Sequence, residues 1–195
     1  LQAQGEHDAF EIRDLYFLRP LQVADGTPRR IRVRLTRSDA GYDFEVLSGV
    51  VVDGREGFER NAQAELALLP LSAPEPVDLE QIAARCPDLR LATGGTSLRS
   101  PQEQHLRFGP RWEVLRSMGF GQGEAIAELR LPTTFRHDLA AGYLLHPALL
   151  DLATGWAMEL IPGYEPTNLW VPVSYRSVRV HRTLPARVMS WVRSH

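Results

Sequence analysis

The chain has 195 residues, 44% of them hydrophobic and 24% charged, and a formal net charge of −2, so it suits one substantial soluble domain or two packed halves and carries no global field for nucleic acid. The chain has no lysine, which excludes a Schiff-base lysine and a Walker-type phosphate loop, and a single Cys86 excludes an internal disulfide. No apolar run reaches membrane-spanning length, and the opening Leu1-Gln2-Ala3-Gln4-Gly5-Glu6 lacks the basic region and apolar core of a signal peptide, so the expectation is a cytoplasmic protein with no membrane or nucleic-acid partner.

The first part reads as strands. Residues 10–18 are apolar-rich and end at Arg19-Pro20. Residues 30–35 alternate Arg-Ile-Arg-Val-Arg-Leu, which predicts a strand with its arginines to water and its aliphatics inward. Turn signals at Asp39-Ala40-Gly41 and Asp53-Gly54 bracket a long strand over 42–52. A third strand spans 58–69, with Ala62, Ala64, Leu66 and Leu68 on one face, and the short turns imply an antiparallel meander. Residues 70–77 hold three prolines in eight positions and cannot continue a sheet, so a linker is expected at 73–77.

Asp78 then caps a helix over 79–86 that ends in a buried, incidental thiol at Cys86. Residues 89–98 read as irregular, with a Gly94-Gly95 turn. Ser100-Pro101-Gln102-Glu103 combines a cap serine, a proline at the first position and a glutamate at the third, which predicts a helix running to about 108. A second helix is expected over 111–118 and a strand over 125–131. Pro147 opens a long apolar helix ending near Pro162-Gly163, and strands follow over 169–173, 178–181 and 188–192. Antiparallel strands around a long apolar helix indicate an α+β layer arrangement, a sheet wrapped on a helix.

That last helix carries the most chemistry. Leu149, Leu152, Ala153, Trp156 and Leu160 form one apolar stripe. Asp151 sits off it, with Thr154, Gly155 and Met158 further along its own face. A lone carboxylate early in a helix is commonly a first-turn charge favoured by the helix dipole. The competing reading is a general acid, because a carboxyl in apolar surroundings can hold a proton near neutral pH. Gly155 is a poor helix former, and inside a helix it signals a close approach to the backbone.

Other chemistries find little support. The glycines at 119, 121 and 123 precede a strand, the reverse of a dinucleotide loop, and read as a turn. No Gly-x-Ser-x-Gly occurs, Ser97 and Ser174 are loop serines without a recognisable partner, and no Cys/His spacing suggests a metal. The arginines at 30, 32 and 34 read as a solvated strand face, with contact to an acidic partner surface as the sharper alternative.

His146, Pro147 and Asp151, after an apolar lead, resemble the second catalytic motif, His-Pro-x-x-x-Asp, of polyketide synthase dehydratase domains, which are related to the dehydratase of animal fatty acid synthase. Three more segments fit in order and spacing. Phe108-Gly109-Pro110-Arg111-Trp112 is similar to the family's Tyr-Gly-Pro-x-aromatic motif. Residues 169–174, Leu-Trp-Val-Pro-Val-Ser, resemble the lead into a strand such as 178–181, and residues 12–21 resemble the strand after the family's first central helix.

The resemblance implies a double hot-dog fold, two halves that are each a curved antiparallel sheet around a helix. Residues 1–72 would form part of the first half and 78–195 the second, lacking its final strands. It implies elimination of water from a β-hydroxyacyl thioester on the phosphopantetheine of an acyl carrier protein, with no metal or organic cofactor and with other synthase domains as partners. Asp151 would be the acid. His146 and Pro147 would shape the turn, and Phe108, Gly109, Pro110, Thr154 and Gly155 would support the site or bind substrate.

The family's other catalytic residue is a histidine in His-x-x-x-Gly-x-x-x-x-Pro, and that motif is absent here. His7, His105, His137, His181 and His195 do not fit it and read as solvated or structural. The resemblance therefore implies an internal piece of a longer dehydratase or synthase whose base lies elsewhere, or a reduced homologue. The family often has tyrosine at Phe108 and glutamine or histidine at Gly155, and Thr154 or Tyr143 would then have to substitute. Two other readings are a non-catalytic hot-dog module that binds an acyl-carrier partner or forms a homodimer, and a hot-dog thioesterase.

Overall fold

The computed structural model describes residues 9–68 and 70–194. His7 and His195 lie outside the described residues. The chain divides into two units, residues up to Pro74 with Val171–Arg182, and Glu75–Trp170 with the residues from Thr183 onward.

The first unit is a five-stranded antiparallel sheet in the order β2-β3-β4-β1-β8. Its strands are β1 (Phe10–Phe17), β2 (Ile31–Ser38), β3 (Gly41–Val52), β4 (Arg55–Ala67) and β8 (Ser174–Val180). Asp53 and Gly54, with φ of 50° and 74°, form the tight turn between β3 and β4 that a two-residue hairpin requires. β8 departs from the expected division: it pairs with β1 from Phe10↔Val180 to Tyr16↔Ser174, so residues 171–182 return to the first unit. The expected strand over 169–173 is not formed, because Pro172 cannot donate to a ladder and pairing begins only at Ser174.

β2 corrects a second expectation. Its alternation is real, yet Ile31, Val33 and Leu35 on this edge strand are exposed rather than buried, as are the arginines between them. Its arginines are engaged within the sheet. Arg30 pairs with Glu56 at 2.8 Å, Arg34 with Glu45 at 3.0 Å, and the Arg32 guanidinium lies 4.1 Å from the centre of the Phe58 ring.

Buried Glu11 ties β1 to β8. Its carboxylate accepts from Ser177 Oγ at 2.6 Å and Arg179 Nε at 3.2 Å on β8, and from Arg13 on its own strand. The Ser177 hydroxyl first, and the Arg13 guanidinium next, lower its pKa from 4.5 to about 2. A depressed carboxylate stabilises the fold above its unfolded pKa and loses that contribution as pH falls through the folded value. In denaturant titrations across this acid range, wild type is expected to exceed Glu11→Gln in stability above pH 4.5, and the gap is expected to close towards pH 2.

The second unit is a four-stranded antiparallel sheet in the order β5-β6-β7-β9, formed by β5 (Asp88–Leu91), β6 (Leu115–Phe120), β7 (Glu124–Arg130) and β9 (Arg187–Arg193). Helix α1 (Leu79–Arg85) precedes it, capped by Asp78, whose Oδ1 accepts from the Gln81 N–H at 3.0 Å. Helix α2 (Pro147–Gly155) lies against β7 and β9. The core contains Val114, Leu115, Leu129, Leu149, Leu152 and Trp156, all fully buried.

Four local expectations are overturned in this unit, the first being the helix expected to reach about 108, which is only a 3₁₀ turn over Pro101–Gln104. Residues 88–91 are a strand rather than irregular, because they pair with 117–120. Residues 115–120 are a strand rather than a helix. Met118, Gly119 and Phe120 are buried in succession, so no period-two signal existed to distinguish this strand from a helix. The expected long helix stops at Gly155, since Ala157 at φ −95°, ψ 36° leaves helical geometry and Met158–Leu160 form only a 3₁₀ turn.

The glycine cluster belongs to the β6–β7 hairpin. A Cβ on Gly121 would lie 2.1 Å from the Arg85 carbonyl oxygen, so the end of α1 can settle there only against glycine. Cys86 is buried beside Ile82 and Ile126, and burial pushes its thiol above the ordinary range. Among the described residues, no helix is long and apolar enough to cross a membrane.

Candidate active site

The segment at 109–112 is a single 3₁₀ turn, with Gly109 at its cap and Pro110–Trp112 as its body. Its two side chains at 111 and 112 reach different carboxylates. The indole Nε1 of Trp112 donates to Asp151 Oδ2 at 2.7 Å. The Arg111 guanidinium donates from Nε to Asp138 Oδ2, also at 2.7 Å. Asp138 in turn lies 3.4 Å from Nε2 of His146, the residue that caps α2. One short turn thus holds both the start of α2 and the carboxylate in its middle.

Asp151 is the fifth residue of Pro147–Gly155, and the first turn holds no acidic residue. The dipole-favoured first-turn reading therefore fails on position. Asp151 is partly buried, and among the described residues its side chain has no other hydrogen-bond partner than Trp112. A carboxyl with one oxygen tied by an N–H and the other free of partners is oriented for proton exchange with a bound molecule.

His146 is 1% exposed, its Nδ1 is buried without a partner, and the Tyr143 ring meets it edge-on at 5.8 Å. The Arg111 guanidinium, followed by His146, holds the Asp138 carboxyl below its ordinary range. Pro147 takes the first helical position. Phe108 stacks on Trp112, ring centres 6.1 Å apart and 15° from parallel, and contributes no polar group. Gly109 and Pro110 are exposed and set the turn. Phe108, Gly109 and Trp112 line a cleft of about 440 Å³ with Ser97, Leu98 and Glu103.

Thr154 is exposed, and its hydroxyl donates back to the Leu150 carbonyl at 3.0 Å. His105 is exposed, with ring Nε2 2.8 Å from the Pro166 carbonyl oxygen, and His137 reaches Asp138 from an exposed position. The group missed from sequence is Trp112. Its motif was visible, but the donor role depends on a contact between residues 39 positions apart. Among the described residues, no cluster of three or more His, Cys, Asp or Glu could hold a metal.

A family model described as polyketide synthase dehydratase N-terminal domain matches residues 74–195. The chain belongs to the polyketide synthase dehydratase family. The dehydratase domain of the CurF module of the curacin polyketide synthase superposes with a TM-score of 0.79 at 22% identity, covering 97% of this chain and 67% of that one. The CurJ dehydratase of the same synthase gives 0.75 at 20%, over 94% and 62%. A trans-AT synthase dehydratase from Brevibacillus brevis gives 0.75 at 20%, over 94% and 64%. The chain thus spans 62% to 67% of the length of these domains. No curated protein matches. The α+β hot-dog fold expected of the dehydratase family is the fold found.

Proposed function

We propose that this chain carries the proton donor of a polyketide synthase dehydratase that acts on a β-hydroxyacyl thioester held by an acyl carrier protein. Asp151 gives its proton to the departing hydroxyl. A histidine of the parent protein, outside these residues, removes the α-proton. The electrons of the α C–H bond become the new C=C bond, the C–O bond breaks, and water leaves. Acid–base chemistry balances this step without a metal or redox cofactor.

The observation that carries the reading is the Trp112–Asp151 hydrogen bond, which sets one carboxyl within a family-matched segment. Inactive mutants of the CurK dehydratase include one with a histidine replaced by phenylalanine and one with an aspartate replaced by asparagine, which supports a two-residue division of labour.

The test presents a β-hydroxyacyl carrier protein to the full-length parent and follows the acyl mass. An enoyl thioester, lighter by one water, is expected. Release of free acid would instead favour a thioesterase, and an unchanged acyl group would favour a non-catalytic module. Either outcome overturns the proposal.

Trp112→Phe preserves an aromatic face for Phe108 while deleting the N–H to Asp151. It is expected to lower the dehydration rate about tenfold, the scale of one charge-assisted hydrogen bond, with little change in melting temperature.

A further inference from the structure

The space beside Gly155 is occupied from another part of the chain. A Cβ built on Gly155 would lie 3.1 Å from Nε2 of Gln102 and 3.7 Å from its Cδ and Oε1. The carboxamide of Gln102 therefore packs tightly against the point where a side chain at 155 would begin. Residues 151 and 155 are four apart on α2, so their side-chain positions adjoin on one helix face.

Gln102 is held firmly. It is 5% exposed and belongs to the 3₁₀ turn Pro101–Gln104. Its N–H donates to Ser100 Oγ at 3.4 Å, and its carbonyl accepts from the N–H groups of His105 and Leu106, each at 2.9 Å. Ser100 and Glu103 complete a capping box around it. Yet its side-chain Oε1 is buried with no hydrogen-bond partner. Buried acceptors are rarely left unpaired, and one beside a functional helix points to a donor that a ligand brings.

Resting on the dehydratase reading, we propose that Gln102 is the substrate-orienting residue of this site. Its Oε1 accepts the hydrogen of the β-hydroxyl, which turns the oxygen lone pair towards Asp151 and holds the water that forms. The helix carries no such group at 155, and the turn at Pro101–Gln104 supplies it from outside.

The test uses the full-length parent with a β-hydroxyacyl carrier protein and compares wild type, Gln102→Leu, the relocated pair Gln102→Ala with Gly155→Gln, and Asp151→Asn. Gln102→Leu keeps the bulk and removes the acceptor, so kcat/KM is expected to fall at least about tenfold. The relocated pair returns an amide to the same space from the helix, and is expected to recover most of that loss. A Gln102→Leu rate within about twofold of wild type overturns the proposal, because one lost hydrogen bond is worth more than that. A loss that the relocated pair does not recover also overturns it, by assigning Gln102 to packing. An unchanged rate in Asp151→Asn is a separate failure, that of the dehydratase reading itself.

Discussion

Asp151→Asn is expected to slow water elimination by the parent protein by roughly 10²–10⁴-fold, the range of a positioned general acid. Asparagine matches aspartate in shape, and its carbonyl oxygen can still accept from Trp112 Nε1, now at 2.7 Å from Oδ2. The helix is not built on this side chain, because its buried contacts run through Ala148, Leu149 and Leu152. The variant therefore separates chemistry from folding. What asparagine cannot do is give up a proton to the departing hydroxyl. Single-turnover assays by mass spectrometry, with an unchanged melting temperature, would show the loss. Equal rates for wild type and variant would remove Asp151 from the mechanism.

The largest stability effect is expected at Trp156. It is fully buried, meets Phe120 edge-on at 5.5 Å, and donates from Nε1 to Ser190 Oγ at 3.0 Å. Ser190 passes the connection on to the Ala153 carbonyl at 2.7 Å, so one indole fastens the end of α2 to β9. Trp156→Ala loses the buried ring and opens a cavity, at a cost of about 3–5 kcal/mol. Against a typical net stability of about 5–15 kcal/mol, that is a large fraction. Trp156→Phe retains most of the packing and loses the N–H, at a cost of about 1–2 kcal/mol. Chemical denaturation of the three proteins would order them wild type, Phe, Ala. A Trp156→Ala variant as stable as wild type would show that the core around α2 does not depend on this ring.

Both effects arise from α2, and its start was readable from local chemistry while its end was not. Pro147 at the first position and the apolar residues 149 and 152 announce a buried helix. Its early stop comes at Ala157, which leaves helical geometry just after Trp156, the residue whose indole is held by Ser190 on a strand that comes 34 residues later. The segment 115–120 shows the converse. Leu115 and Met118 carry helical spacing, but pairing with β5 on one side and β7 on the other makes the segment a strand. Intrinsic periodicity yields where two neighbouring strands satisfy the backbone.

What the sequence alone determined is the set of features whose partners lie within a few residues. The Asp78 cap, the Ser100–Glu103 capping box, the Asp53-Gly54 turn and the His-Pro-x-x-x-Asp run each satisfy backbone groups or set a periodicity locally. Family membership followed from the order of such runs. Tertiary structure alone decided that Trp112 holds Asp151, that Gln102 lies against Gly155, that β8 returns to β1, and that the aliphatics of β2 are exposed. Each of these depends on which distant segment arrives beside a given residue. Strand register and helix docking set that, and no local propensity encodes it.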